Sequence, residues 1–150
     1  MLFADWVNTV GDHVRGRGAE LMLWADRLPD SAETGYKEYE SSKNGTAPAI
    51  DLVDKRTLLC DWHYEDRKGF PSVDIFGEKG FPVLISPGWK VENVRKFLDY
   101  ARAHDRGNIR GILATTWCNS GELARYMMRG EKNQWPRVPA IAEMLRMLFE

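Results

Sequence analysis

Cysteine is scarce in this chain. Its 150 residues include 2, Cys60 and Cys118. They match neither a zinc-ligand spacing nor a Cys-x-x-Cys redox pair, so both read as small buried thiols. Charge of one sign is equally short: 21 Lys and Arg stand against 22 Asp and Glu, for a net charge of -1. There is no basic excess to hold a phosphate backbone, and nucleic acid is not an expected partner. No apolar run approaches the ~20 residues that cross a bilayer. The start, Met1-Leu2-Phe3-Ala4-Asp5, lacks the regions of a signal peptide, so the chain as written is expected in the cytoplasm and away from membranes. Gly-x-Gly-x-x-Gly and Walker loops are missing too, and no cofactor is expected.

What the chain does have is 43% hydrophobic and 11% aromatic residues, among them 6 tryptophans, enough for one domain over residues 1–150 with a real core. Four apolar runs read as strands: Glu20 to Leu28, the run entering Thr57 to Glu65, Phe81 to Ile85, and Ile109 to Ala114. Helical spacing marks Asp5 to Val14, with Trp6, Val7, Val10 and Val14 on one apolar face. It also marks Val91 onward, with Val94, Leu98 and Ala101 and a stop at Gly107, then Glu122 to Met128, and a last helix opened by Pro139. Asp66 to Gly80 reads as a short helical segment at best, broken by Gly69, Pro71 and Gly77. Asp30 to Pro48 has no core pattern and reads as a long exposed loop, either a lid or a plain surface excursion.

Trp24, Trp62, Trp89 and Trp117 stand at the C-terminal ends of the four expected strands, 38, 27 and 28 residues apart. Those are βα-unit lengths, and parallel strands joined by right-handed crossovers would gather the indoles and their neighbouring acids on one rim. Each tryptophan alone also fits a core position. As a set, indoles with carboxylates suit a sugar, whose C–H faces stack on aromatic rings while its hydroxyls bond to acids.

Four motifs in order carry a resemblance: Met22-Leu23-Trp24-Ala25-Asp26, then Cys60-Asp61-Trp62-His63-Tyr64-Glu65, then Gly80-Phe81-Pro82-Val83-Leu84-Ile85-Ser86-Pro87-Gly88-Trp89, then Gly111-Ile112-Leu113-Ala114-Thr115-Thr116-Trp117. From about Phe3 to Tyr126 the chain resembles the second half of the catalytic barrel of glycoside hydrolase family 20, the β-N-acetylhexosaminidase-like enzymes. The resemblance implies an α/β fold in which a four-stranded parallel βα repeat corresponds to strands five to eight of a (β/α)8 TIM barrel. It further implies a carbohydrate ligand, a terminal N-acetylhexosamine, with Trp24, Trp62 and Trp117 lining its pocket and Asp26 following the fifth-strand tryptophan by two. The family's acetamido-steadying tyrosine has no match near Ser86 to Trp89, and Tyr64 would reach the same space from the neighbouring strand; the acid expected just after the eighth-strand tryptophan is replaced by Cys118 and Asn119, with Glu122 a turn later. The expected sugar-contacting set is therefore Trp24, Asp26, Asp61, Trp62, His63, Trp89, Trp117 and Glu122, with Tyr64 and Glu65 as catalytic candidates.

The family's adjacent Asp-Glu pair, whose Glu protonates the leaving oxygen while Asp orients the acetamido nucleophile, has no counterpart: no Asp-Glu dipeptide occurs in the chain. The isolated chain is expected to be inactive, as one half of a hydrolase barrel closed by further sequence or by a second copy of itself; the alternative is a non-catalytic carbohydrate-binding or assembly module. A third reading uses the alternation of Asp61, His63 and Glu65 for acid/base work in an unrelated small enzyme, with His63 as either general base or hydrogen-bonded structural residue. Three ligands along one strand span ~13 Å, too far for one ion, so no metal site is expected. Cys118 as a nucleophile lacks a placed base.

Overall fold

The coordinates are a computed structural model that describes residues 1–132 and 134–149. Strands β1 (Met22–Trp24), β2 (Leu58–His63), β3 (Val83–Pro87) and β4 (Ile109–Ile112) form where the apolar runs lie, and they pair side by side in chain order, every pair parallel. The order does not reverse, as it would in a doubly wound sheet. Helix α1 (Leu2–Arg15) precedes the sheet, the short α2 (Ser31–Thr34), α3 (Pro71–Glu78) and α4 (Val91–His104) lie in the connections, and α5 (Ser120–Arg129) and α6 (Val138–Phe149) follow β4. Between β3 and β4 the register slips by one residue after Val83, and Gly111, at φ +145°, carries the backbone through the bulge.

Right-handed crossovers between neighbours in chain order put their helices on one face of the sheet. The core sits there. Leu59 of β2 and Val83 and Ile85 of β3 pack with Phe70, Val73 and Phe76 around α3, with Val94, Phe97 and Ala101 of α4, and with Ile141 and Met144 of α6. The other face has a different character. Leu58 and Leu84 are only partly covered and Met22 is 46% exposed, although parallel sheets are ordinarily covered on both sides. Among the described residues no helix is long and apolar enough to cross a membrane.

Three expectations need correction. In α1 the buried residues are Ala4, Val7 and Gly11, so the apolar face is rotated and Trp6 is 67% exposed. Pro71 does not break a helix but opens α3 at a position whose N–H would have no partner, and Gly77 lies within that helix, where a Cβ would stand 3.0 Å from Arg106 Cδ. Asp30 to Pro48 is exposed at most of its positions, but it also has buried anchors, which a segment without a core pattern is not expected to have. Tyr36, Glu40, Ser41 and Ser42 are buried, and polar bonds tie the segment down: Ser42 N–H donates to Pro29 O at 2.8 Å, and Thr46 Oγ1 donates to Arg27 O at 2.7 Å. A reading based on apolar spacing misses a segment whose burial is satisfied by hydrogen bonds.

Two buried acids, Cys60 and Tyr36, make stability sensitive to alkali. Burial, with the Asp61 charge beside it, pushes the Cys60 thiol up to about 11, and burial likewise raises the Tyr36 phenol. Above the ordinary thiol value of 9.0 the unfolded chain gives up the Cys60 proton while the folded chain keeps it. The unfolded state then binds fewer protons, and stability falls by about 1.4 kcal/mol per pH unit. Tyr36 adds a second slope above 10.0. Urea unfolding from about pH 8 to 10.5 is expected to show this decline, with its first part lost in Cys60→Ala; a flat profile would contradict it.

Candidate functional site

Successive residues of a strand face opposite sides, so β2 carries two different constellations. Cys60 and Trp62 face the side without helices, and Tyr64 follows where the strand has ended. Trp24 of β1 lies beside Cys60, and Ser86 of β3 beside Trp62. Trp24, Asp26, Trp62, Tyr64 and Trp117 together line a cavity of about 220 Å³ at the C-terminal end of the sheet, where parallel α/β sheets hold their ligands. Trp24 and Trp117 are 43% and 60% exposed, more than core indoles would be.

Hydrogen bonds fix the walls. Trp62 Nε1–H donates to Asp26 Oδ1 at 3.1 Å, and Arg27 Nε–H donates to Asp26 Oδ2 at 2.6 Å, so the carboxylate is held from both ends. Trp117 Nε1–H donates to Tyr64 Oη, which leaves the phenolic proton free to point elsewhere. The rings continue outward. Tyr64 lies 4.9 Å from Trp62 and 5.6 Å from Trp89, and Tyr39 stacks on Trp62 at 6.2 Å. Gly88 is needed for that path, because a Cβ there would stand 2.8 Å from Tyr64 Cδ1. Trp117 is the one non-glycine residue with positive φ among the described residues, at +20°.

Trp89 and Glu65 do not enter this cavity. They line an adjoining hollow of about 540 Å³ with Tyr39, Trp62, Tyr64, Lys90 and Arg137. Glu65 is at the surface, its Oε2 3.5 Å from Lys90 Nζ. Glu122 lies outside both: its carboxylate accepts the Gln134 N–H at 3.1 Å, next to the Asn119 cap of α5.

Asp61 and His63, expected among the sugar-contacting residues, face the helices instead and are buried. Ser72 Oγ, on α3, donates to Asp61 Oδ2 at 2.7 Å and lies 3.0 Å from both His63 Nε2 and Tyr36 Oη. His63 Nε2 is also 3.1 Å from Asp61 Oδ1, and His63 Nδ1 is 3.6 Å from Glu40 Oε1. Glu40 in turn pairs with Arg67, whose guanidinium lies over the Tyr36 ring. Ser, His and Asp meet here without forming a nucleophilic set, since all three are sealed from solvent and the serine hydroxyl is engaged by the carboxylate. Because β2 ends at His63, the alternation does not carry through to Glu65, which is parted from Asp61 and His63. Among the described residues no three His, Cys, Asp or Glu gather as a metal site would require.

Sequence reasoning missed Tyr39, Lys90 and Arg137 at the adjoining hollow and Tyr36, Glu40, Arg67 and Ser72 in the buried network. Only Lys90, next to a strand-end tryptophan, had a positional signal. No protein-family model matches the chain, and no curated protein sequence matches it.

Proposed function

We propose that this chain forms the aromatic and acidic wall of a pocket for a terminal N-acetylhexosamine-type sugar, as the portion of a glycoside hydrolase barrel equivalent to strands five to eight. The observation that carries the reading is the convergence of Trp24, Trp62, Tyr64, Trp117 and Asp26 on one cavity at the C-terminal end of the sheet. At about 220 Å³ it is below the ~300–1,000 Å³ of drug-sized ligands, which suits one pyranose. Indole faces take the C–H side of the ring, Asp26 accepts from hydroxyls, and the Tyr64 O–H is placed to donate to an acetamido oxygen. No adjacent Asp-Glu pair is present to protonate a leaving group, so the purified chain binds without cleaving.

The test is a titration with N-acetylglucosamine, read by tryptophan fluorescence, alongside hydrolysis of an aryl N-acetylglucosaminide. Quenching with a Kd on the order of 1 mM and no hydrolysis are expected. Absence of any quenching at tenfold higher concentration rejects the pocket; turnover that Glu65→Gln abolishes rejects the inert wall.

A second reading, an assembly module, is favoured by the thinly covered sheet face of Met22, Leu58 and Leu84. Two copies closing their sheets around each other would cover that face and pair the open edges of β1 and β4. Light scattering at about 10 μM is expected to show a dimer that Leu84→Lys dissociates. A monomeric mass would sink this pairing while leaving the sugar pocket untouched.

A further inference from the structure

The hollow beside the sugar cavity differs from it in charge. Both are walled by Trp62 and Tyr64, so the second hollow adjoins the first and the two share those rings. The first has Asp26 as its one charged lining residue, whereas the second has Lys90, Arg137 and Glu65, a net positive lining.

The two cations are differently committed. Lys90 Nζ stands 3.5 Å from Glu65 Oε2, a loose contact that leaves its N–H groups able to turn to another acceptor. The Arg137 guanidinium lies 4.1 Å from the centroid of the Trp89 ring and has no carboxylate partner among the described residues. A guanidinium laid on an indole is held in orientation, with its N–H edge available for the two oxygens of a planar anion. Helix α4 adds to the field. Its 14 residues begin just after Lys90, and no side chain caps its first turn, so the positive end of the helix dipole faces the same rim. Tyr39, Tyr64 and Trp89 supply ring faces around these charges.

We propose that this hollow is the subsite for an acidic sugar, a hexuronic acid linked to the N-acetylhexosamine held in the first cavity. The inference rests on the sugar-pocket reading and names the substrate class of that same site. Trp89 and Tyr39 bracket the uronate ring, Arg137 pairs with its carboxylate through two N–H groups, and Lys90 exchanges Glu65 for the ligand when the subsite fills.

The test compares three ligands by calorimetry on the full chain: N-acetylglucosamine; its β-linked disaccharide with N-acetylglucosamine, which is neutral; and its β-linked disaccharide with glucuronic acid, which is acidic. The acidic disaccharide is expected to bind about tenfold tighter than the neutral one at low ionic strength, with the advantage shrinking as salt is added. Arg137→Gln should remove most of that advantage and Arg137→Gln with Lys90→Gln all of it, while Arg137→Lys retains part. Neither residue lines the first cavity, so the monosaccharide reports whether the variants are folded and the first pocket is intact. If the monosaccharide binds and the two disaccharides bind alike, or the preference survives both substitutions, the acidic subsite is overturned alone. If the monosaccharide does not bind the unaltered chain, the sugar-pocket reading falls and takes this inference with it.

Discussion

Replacing Arg67 with methionine is expected to lower the free energy of unfolding by about 3–5 kcal/mol. The Glu40 carboxylate is fully enclosed, with Arg67 as its ion-pair partner, His63 Nδ1 at 3.6 Å and the Tyr64 N–H at 3.4 Å. Burial pushes the Arg67 guanidinium below its usual range, although its side chain keeps 15% exposure while the Glu40 carboxylate has none. Methionine keeps most of the contact with the Tyr36 ring but strands a buried carboxylate, and that uncompensated charge is the source of the loss. Removing both charges together, as Glu40→Leu with Arg67→Met, should restore most of the stability, because two enclosed charges gain little over apolar groups of similar size. The contrast is Arg102→Ala at the Asp99 pair, where both side chains are 75% exposed and the change should stay within ~1 kcal/mol. Urea melts of the three variants beside the unaltered chain decide it, and a loss under about 1 kcal/mol for Arg67→Met would show that the pair does not hold the segment in place.

The same pair has a functional reach. Glu40 is the neighbour of Tyr39, and Tyr39 stacks on Trp62. Loosening the 30–48 segment therefore withdraws Tyr39, one wall of the hollow that adjoins the Trp24, Trp62 and Trp117 cavity. A polar lock on the helix side of β2 and an aromatic site on its open side are joined through one strand.

The sequence made one of those sides readable. Leu58, Leu59, Val83 and Ile85 mark strands by their apolar runs, and a tryptophan at each strand end is legible once the strands are parallel and consecutive. The convergence of Trp24, Trp62 and Trp117 follows from that geometry. Asp61 and His63 were harder, because residue types that suit a sugar also suit a satisfied polar core, and only the phase of the strand decides between them. Ser72 and Glu40 carry no periodic signal, since their positions depend on partners 11 and 24 residues away. Trp6 misleads for a related reason: on α1 the small residues Ala4 and Gly11 face inward and allow close approach, which leaves the large indole outside.

Trp62 is where the functional reading is most exposed to test. It lines both hollows, takes the stacking of Tyr39, lies against Tyr64 and orients Asp26 through its N–H. Trp62→Ala removes a ring that lines both hollows, and on the proposed function the affinity for N-acetylglucosamine should fall by about 30-fold or more, the loss expected of a central aromatic anchor. Trp62→Phe separates two contributions. It keeps a ring face for the sugar and deletes only the donor to Asp26, which Arg27 still holds at 2.6 Å; a loss of about fivefold is expected from one hydrogen bond. Trp6→Ala removes an indole of the same chemistry from the outer surface of α1 and should leave the affinity unchanged. The ordering Ala far weaker than Phe, with Trp6→Ala at the level of the unaltered chain, requires a sugar stacked on Trp62. Unchanged affinity in a folded Trp62→Ala protein would place the sugar elsewhere and remove the support for both subsites.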